Sequence, residues 1–321
     1  MLAVHLENGG VALRDVPLPH RPPGFALLRL LLGGICNTDL ELRRGYYAFA
    51  GSPGHEFVAE VVAADTPALQ GKRVVGEINL ACAHCDWCRK GLARHCPSRT
   101  VLGIVNHPGA FAEFFTLPER NLHTLPDAIP NERAVFTEPL AAACEILDQV
   151  AIPCGETIAV LGDGKLGLLV ALVLNAHGYP VRLYGRHPEK LQIAARVGVE
   201  TAVSTPPAAE YAWVVEATGN PEGLRAAVRM TKPRGTVVLK STVHGMAGID
   251  TAPIVVDEMT LIGSRCGRFE SALPLLDRDL IPVEEMISAR FPLSQAPAAF
   301  DRAAEPGTLK VLLAASVDRA A

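Results

Sequence analysis

The sequence predicts an α/β protein in which a β-rich domain is combined with a parallel sheet that carries helices on both faces. The chain has 321 residues, which is long for one hydrophobic core and sufficient for two. Residues 1–137 are rich in Gly, Pro and short apolar runs, a texture typical of an irregular β-rich domain. From residue 157, apolar strands alternate with helical patterns, which indicates βαβ units.

Composition and charge exclude several classes of protein. Apolar residues make up 49% of the chain and charged residues 20%, as in a folded globular protein. The formal net charge of -4 provides no basic surface for nucleic acid. No apolar run approaches the roughly 18 residues of a membrane span, and the first residues resemble no secretion leader. We therefore expect a cytoplasmic protein, in which the eight cysteines serve metal binding rather than disulfides.

The alternating part of the chain is predicted element by element. Strands are expected at residues 157–161, 181–184, 213–216 and 236–239, because these runs are apolar and rich in β-branched residues. Helices are expected at residues 165–177, 188–197 and 221–230. Pro188 stands at the first position of the second helix, and Gly198 follows its end. A last apolar run covers residues 310–315.

A glycine-rich loop separates the first of these strands from the first helix. Its GxGxxG pattern consists of Gly162, Gly164 and Gly167, with Lys165 and Leu166 opening the helix. The first Gly permits a tight turn, the second allows the backbone to approach a pyrophosphate, and the third packs helix on strand. This placement predicts a Rossmann dinucleotide site, with a glycine turn of another α/β protein as the alternative.

The second strand indicates which dinucleotide binds. An NAD site usually carries Asp or Glu there, about 20 residues after the glycines, to hold the ribose 2′-hydroxyl. Here the strand is followed by Gly185, Arg186 and His187, with no carboxylate. Arg186 suits a 2′-phosphate, and Lys190 lies one turn into the next helix. The sequence favours NADP over NAD; a solvated Arg186 in an NAD enzyme is the alternative.

Four cysteines are clustered with the spacing C-x2-C-x2-C-x7-C. Four soft ligands without an open position are typical of a structural zinc site rather than a catalytic one. A redox pair, four unrelated thiols, or a histidine from the same loop as a ligand are the alternatives. The cluster consists of Cys82, Cys85, Cys88 and Cys96.

Three further segments combine a thiol, an imidazole and carboxylates, which together suit an open zinc site. They are the stretch with Cys36, Thr38 and Asp39, the pair His55 and Glu56, and Glu138 after Thr137. Taken alone, each segment is more typical of ordinary packing than of a site.

The order of these motifs resembles the medium-chain zinc alcohol and polyol dehydrogenases, nearest the sorbitol and threonine dehydrogenase branch. A G-x-C-x-T-D box, a G-H-E box, a four-Cys lobe, an E-P-L-A segment and GxGxxG follow one another along nearly the whole chain. The resemblance implies a GroES-like catalytic domain formed by residues 1–137 and 268–321. It also implies a Rossmann domain at residues 138–267.

The resemblance further implies roles for individual residues. Cys36 and His55 would bind the catalytic zinc, with Glu56 and Glu138 as candidates for the remaining ligand. Thr38 would relay the substrate proton, and Asp39 would orient the histidine. The basic residue that reaches the cofactor phosphates in the family corresponds to Lys310, for which an ordinary surface lysine is the alternative.

The chain departs from the family pattern at Glu41, where many relatives carry the histidine that passes the proton to solvent. The expected activity is hydride transfer between NADP(H) and an alcohol/carbonyl pair: a secondary alcohol, a polyol or a sugar derivative. The expected assembly, by analogy, is a homodimer or homotetramer. The alternatives are a zinc-independent reductase of activated double bonds and a non-catalytic dinucleotide-binding sensor.

Overall fold

The computed structural model of the chain describes residues 1–7, 9–204, 206–242 and 248–315. Its strands, in chain order, are β1 (Leu2–Glu7), β2 (Gly10–Asp15), β3 (Phe25–Ile35), β4 (Glu56–Ala63), β5 (Arg73–Gly76), β6 (Asn79–Leu80), β7 (Thr100–Leu102), β8 (Asn106–His107), β9 (Phe114–Pro118), β10 (Leu122–Thr124), β11 (Ile158–Leu161), β12 (Val181–Tyr184), β13 (Glu200–Ala202), β14 (Tyr211–Glu216), β15 (Thr231–Leu239), β16 (Thr260–Gly263), β17 (Ile287–Pro292) and β18 (Lys310–Ala314). Its α-helices are α1 (Asn37–Arg43), α2 (Asp86–Arg89), α3 (Asn131–Ala134), α4 (Thr137–Gln149), α5 (Lys165–Ala176), α6 (Pro188–Ala195), α7 (Pro221–Met230), α8 (Ala252–Val256), α9 (Phe269–Asp277) and α10 (Ala296–Ala304). Within these ranges, no helix has both the length and the apolar character that crossing a membrane requires.

The described chain divides into two compact units. The first contains Met1–Glu138 together with residues 287–315, and the second contains Pro139–Met286. The first boundary lies next to the expected one, whereas the second falls after residue 286 rather than after residue 267. The reason is that α9 packs on α4: the Cys144 thiol donates to the Ser271 carbonyl at 3.8 Å, and the Gly267 backbone approaches Ala141. Residues 316–321 of the expected catalytic domain lie outside the described chain.

The main sheet of the first unit is built around the long strand β3. Its order is β10-β5-β4-β3-β18-β17, and β9 also pairs with β3. Alternate residues of β3 are fully buried, as expected for a strand with one face on a core: Ala26, Leu28 and Leu30. Antiparallel pairing places β4 on one side of β3 and β18 on the other. Residues far apart in sequence therefore meet at the end of β3.

The second unit has the predicted parallel sheet, with the order β13-β12-β11-β14-β15-β16. Neighbouring strands are parallel throughout, and the direction of winding reverses between β11 and β14. Ligands of doubly wound sheets bind at the carboxyl ends of the strands beside this reversal. The order is that of a Rossmann domain, so the predicted fold class is confirmed.

The predicted elements of this sheet agree closely with the observed ones. β12 and α7 have the predicted bounds, and α5 ends one residue earlier than expected. The strands β14 and β15 begin earlier than expected, at Tyr211 and Thr231. Parallel pairing of Tyr211 with Thr231 recruits these less apolar residues, and such pairing leaves no local signal in the sequence.

Candidate active site

The turn from β3 into α1 positions Cys36 and Asp39. Cys36 is the residue that precedes the helix, and its backbone N–H donates to Asp39 Oδ2 at 2.8 Å. A carboxylate three residues into a helix satisfies such an N–H, so the sequence C-x-x-D defines this helix start. The other oxygen, Asp39 Oδ1, accepts the Gly54 N–H at 3.2 Å and lies 3.4 Å from His55 Nδ1. Asp39 is fully buried and ties the G-x-C-x-T-D box to the G-H-E box.

Two glycines make room for the side chains of the G-H-E box. Gly54 has φ +102°, a left-handed conformation that favours glycine, and a Cβ there would lie 2.4 Å from Phe111. Gly34 pairs with Glu56 across β3 and β4, and a Cβ on Gly34 would lie 2.6 Å from Glu56 Oε2. At both positions a larger residue would collide with a neighbouring side chain, which explains why the two motifs carry glycine there.

Cys36, His55 and Glu56 converge on one point. One potential ligand atom from each side chain lies within 4.8 Å of those of the other two. His55 and Glu56 are buried, and Cys36 is half-buried. Among the described residues, none is hydrogen-bonded to Glu56 Oε1, although this oxygen is buried. An unsatisfied buried carboxylate oxygen beside a thiol and an imidazole is the donor set of a zinc site.

Electrostatics also favours a cation at this point. Burial lowers the pKa of His55, but Asp39 and Cys36 outweigh this effect, and the net pKa lies well above the usual value. The surroundings of the imidazole thus favour a positive charge on it. Because Asp39 faces Nδ1, the other ring nitrogen, Nε2, is left for a ligand.

Lys310 lies in this cluster instead of on the surface. Its ammonium is hydrogen-bonded to Glu56 Oε2, both side chains are about 1% exposed, and the ammonium is 5.6 Å from the ring centre of Phe136. Burial lowers the pKa of Lys310, but Glu56 and then Cys36 more than compensate, so its pKa is raised. The expected contact of Lys310 with the cofactor phosphates remains a prediction that this ion pair disfavours.

The other residues predicted for this site, Thr38, Glu41 and Glu138, do not belong to the group of potential metal ligands formed by Cys36, His55 and Glu56. The Cys36 thiol and the Thr38 hydroxyl lie 3.8 Å apart, at the start of α1. Glu41 accepts a hydrogen bond from Arg44 at 2.6 Å. Glu138 is half-buried in the first turn of α4 and, among the described residues, is not part of the group within 4.8 Å. The structure thus brings Glu56 to the thiol and imidazole, and leaves Glu138 outside this group.

The cysteine lobe forms the second cluster of potential ligands. The Sγ atoms of Cys85 and Cys88, and those of Cys82 and Cys96, lie 3.5 Å apart. The Cys85–Cys96 and Cys82–Cys88 distances are 3.8 and 3.9 Å. Thiolates at about 2.3 Å from a tetrahedral zinc ion are about 3.8 Å apart. All four are free thiols, and their separations fit a tetrahedron around one ion.

Backbone donors prepare one of these thiols for ionisation. The N–H groups of His84 and Cys85 are the largest causes that lower the pKa of Cys82 to about 6. Burial and the Cys85 thiol raise the pKa of Cys88 to about 12. Thiols that share one small volume therefore cannot all ionise without a cation between them.

The glycine loop lies in close contact with the helix α5 that follows it. A Cβ on Gly167 would lie 1.9 Å from the Gly162 carbonyl oxygen, so the helix α5 touches the loop backbone. A Cβ on Gly164, in contrast, would meet no described atom within 4 Å. Gly164 precedes α5, which begins with Lys165 and Leu166, so its open side faces away from protein atoms and is free for a ligand.

A cavity of about 460 Å³ lies at the carboxyl ends of β11, β12 and β14. Its lining includes Gly162, Gly164, Gly185, Arg186 and His187 from the predicted cofactor residues, and also Asp163, Glu222 and Arg229. Arg186 is exposed, whereas Lys190 is buried and does not line the cavity. Asp163 was not predicted from the sequence as a residue of this cavity. The one indication was that a charged residue stands between the first two glycines of the motif.

Comparison with known proteins supports the architecture and the family. Residues 22–127 match the alcohol dehydrogenase GroES-like domain, and residues 166–278 match the zinc-binding dehydrogenase domain. A D-altritol 5-dehydrogenase from Agrobacterium fabrum (strain C58) is 33% identical over 331 residues, covering 97% of this chain and 98% of the relative. The chain belongs to the medium-chain zinc alcohol and polyol dehydrogenase family.

Two further relatives agree with this dehydrogenase family. An L-threonine 3-dehydrogenase from Chelativorans sp. (strain BNC1) is 35% identical to this chain over 206 residues, which cover 61% of this chain and 59% of the relative. The structure of a zinc-binding dehydrogenase from Sinorhizobium meliloti 1021 bound to NADP has 29% identity and a TM-score of 0.88, with 98% of each chain covered. The predicted family is confirmed, and the chain is an NAD(P)-dependent alcohol or polyol oxidoreductase.

Proposed function

We propose that this dehydrogenase binds one catalytic and one structural zinc ion and transfers a hydride between NADP(H) and a secondary alcohol or polyol. The convergence of Cys36, His55 and Glu56 within 4.8 Å is the observation that carries the proposal. A catalytic zinc site needs about three protein ligands and an open position. A structural zinc in the lobe is supported by the separations of its Sγ atoms, 3.5–3.9 Å. Stable thiolate ligation also fits the expected reducing, cytoplasmic setting.

Glu56 is the carboxylate that we assign to the catalytic zinc. Its Oε2 is held by Lys310, and its buried Oε1 has no hydrogen-bond partner among the described residues. Glu138 remains the candidate for a ligand that exchanges with Glu56 during turnover. A zinc ion there supplies Lewis acidity, and the nicotinamide ring supplies the hydride transfer.

The protein residues around the ligands control the proton and the geometry. We assign to Thr38 a hydrogen bond to the substrate oxygen and the relay of its proton; the 3.8 Å between its hydroxyl and the Cys36 thiol supports this role. Glu41, three residues further along α1, then passes a proton to solvent in the position where many relatives use histidine. Asp39 keeps His55 oriented through Nδ1. The Glu41 carboxylate should move the pH profile of activity away from that of relatives with histidine.

The preference for NADP rests on Arg186. Its exposed guanidinium lines the cavity at the end of β12, next to Gly185. Guanidinium groups bind phosphates in a bidentate manner, which suits the 2′-phosphate of NADP. We expect Arg186→Ala to raise the KM for NADP about tenfold or more, with little effect on the KM for NAD. An equal change for both cofactors would refute the phosphate assignment.

The substrate class is proposed as a polyol, a sugar derivative or another secondary alcohol, in line with the polyol and threonine dehydrogenases among the relatives. The decisive experiment is a screen of alcohols and carbonyl compounds with both cofactors, together with zinc analysis. About two zinc ions per chain and turnover of an alcohol would support the proposal. No zinc would favour a reductase of activated double bonds, and cofactor binding without any turnover would favour a sensor.

A homodimer or homotetramer is part of this proposal. The strand β16 forms one edge of the parallel sheet, and in the preceding helix α8 the side chains of Val255 and Val256 are 72% and 78% exposed. Exposed apolar side chains, and a strand that ends the sheet of the described residues, each favour association with a second copy. Light scattering at micromolar concentration tests this, and a monomer would contradict it.

A further inference from the structure

Asp163, the second residue of the glycine loop, lies against the turn that follows β12. Its Oδ2 accepts the backbone N–H groups of Arg186 at 2.6 Å and His187 at 2.7 Å. The same oxygen lies 2.9 Å from His187 Nδ1. A carboxylate that belongs to one strand's loop is thus anchored at the end of the neighbouring strand.

Asp163 occupies the space of a side chain at position 185. A Cβ built on Gly185 would lie 2.6 Å from both Cβ and Oδ2 of Asp163. An Asp or Glu at position 185, where an NAD site usually carries its carboxylate, would therefore collide with Asp163. The absence of an acidic residue after β12 does not remove the carboxylate from the site, because Asp163 delivers one from β11.

The carboxylate is ionised and retains one oxygen for a ligand. Burial raises the pKa of Asp163, but the N–H donors of His187 and Arg186 outweigh burial, so its pKa is lowered. Among the described residues, none donates a hydrogen bond to Oδ1, since every contact of the side chain uses Oδ2. Asp163 also lines the cavity that contains the glycine loop.

We propose that Asp163 Oδ1 accepts a hydrogen bond from the 2′-hydroxyl of the adenosine ribose, in the role that a carboxylate at the end of β12 has in NAD sites. This inference rests on the proposed dinucleotide function. Asp163 favours NAD and repels the 2′-phosphate of NADP, whereas Arg186 attracts that phosphate. Asp163 and Arg186 line the same cavity. The repulsion by Asp163 and the attraction by Arg186 together set the affinity for NADP relative to that for NAD, and the protein binds both dinucleotides.

The test uses adenosine fragments, which separate the ribose contact from the rest of the cofactor. ADP and 2′-deoxy-ADP differ only in the hydroxyl that Asp163 is proposed to bind. Their Kd values are measured by calorimetry on the wild-type holoprotein and on Asp163→Asn, which retains an oxygen for the backbone donors. Glu222→Gln is the matched control, because it removes a negative charge from the same cavity away from the end of β12.

For the wild-type protein and Glu222→Gln, we expect 2′-deoxy-ADP to bind about tenfold more weakly than ADP. For Asp163→Asn, the ratio of the two Kd values should shrink to about two. The affinity for NADPH relative to that for NADH should rise by a factor similar to this decrease. Equal binding of ADP and 2′-deoxy-ADP to the wild-type protein would overturn the inference, even if the variant failed to fold. If Asp163→Asn weakened the binding of ADP and 2′-deoxy-ADP equally and left the ratio of their Kd values unchanged, Asp163 would only stabilise the turn after β12.

The outcomes also separate this inference from the proposed function. If the wild-type protein binds NADPH and turns over an alcohol but does not distinguish ADP from 2′-deoxy-ADP, only the role of Asp163 fails. If it binds neither the dinucleotides nor the fragments, both fail. If Asp163→Asn had normal turnover and the same ratio of affinities for NADH and NADPH as the wild-type protein, only the proposed role of Asp163 would be contradicted.

Discussion

Replacement of Lys310 by Met tests whether the buried ion pair with Glu56 holds the proposed metal site together. Both side chains are about 1% exposed, and they form a hydrogen bond between β18 and the start of β4. The substitution retains most of the side-chain volume but leaves the Glu56 carboxylate without its cation. Because one partner of a buried pair is removed, we expect the free energy of unfolding to fall by about 3–5 kcal/mol.

The energetic origin can be isolated with a double-mutant cycle. Glu56→Gln removes the charge from the other side, and the double variant removes both charges. The double variant should recover at least about 2 kcal/mol relative to the sum of the two single variants, because neither charge is then buried alone. Urea unfolding followed by circular dichroism, at one fixed zinc concentration, provides the four free energies.

The pH dependence gives an independent check. The pKa of Lys310 is raised above its ordinary value of 10.5 by Glu56 and Cys36, despite burial. The contribution of the charged lysine is therefore fully present below pH 10.5 and is lost as the pH rises through the higher pKa of the folded state. The loss of stability in Lys310→Met should be constant between pH 6 and pH 9, as a rough working range.

Two results would refute this reasoning. A loss below about 1 kcal/mol in Lys310→Met would mean that Glu56 is stabilised by something other than the ammonium. Single-variant losses that add up within about 0.5 kcal/mol in the double variant would mean that the two groups are energetically independent. Either result would also weaken the assignment of Glu56 Oε1 as a ligand held in place by the contact of Oε2 with Lys310.

Four further predictions concern the metal clusters and the glycine loop. Cys36→Ser should reduce kcat by at least about a hundredfold and remove one zinc per chain, with an unchanged circular dichroism spectrum; retained turnover would contradict its role as a ligand. Cys88→Ser should lower the free energy of unfolding by several kcal/mol, because a structural zinc stabilises the lobe; unaltered zinc content would contradict this. Gly167→Ala should destabilise the protein by about 3 kcal/mol or more, because its Cβ would lie 1.9 Å from the Gly162 carbonyl. Gly164→Ala, whose Cβ meets no described atom within 4 Å, should leave thermal stability unchanged but weaken dinucleotide binding in fluorescence titrations.

Much of the second unit was predictable because its signals are local. The hydrophobic run of β12 and the helix α7, which begins after Asn220 with Pro221, are defined by residues within a few positions of each other. The Asn220 side chain accepts the Gly223 N–H, as expected at a helix start. The second domain boundary was not predictable, because it depends on the packing of α9 on α4 rather than on composition.

The site was predictable only as a set of residues. The resemblance carried by the order of the motifs implied roles for Cys36 and His55, whereas the spacing of the four cysteines indicated the lobe directly. The proposal of Glu56 as a ligand rests on the antiparallel pairing of Gly34 with Glu56, which brings this carboxylate to the thiol and which no local pattern in the sequence predicts. The resemblance assigns Lys310 to the cofactor phosphates, which stays a prediction; its contact with Glu56 follows from the pairing of β18 with β3 and has no local signal in the sequence.

The order of residues along the chain was enough to predict the chemical groups of this protein: a glycine loop, a lobe of four thiols, and soft and hard ligands suited to zinc. Spacing along one chain carries that information, because loops and helix starts are short-range structures. Which carboxylate reaches which partner depends on contacts between segments that are distant in the chain. Asp163 at the end of β12 and Glu56 beside Lys310 are contacts between different strands, and their register is fixed by the sheets rather than by neighbouring residues.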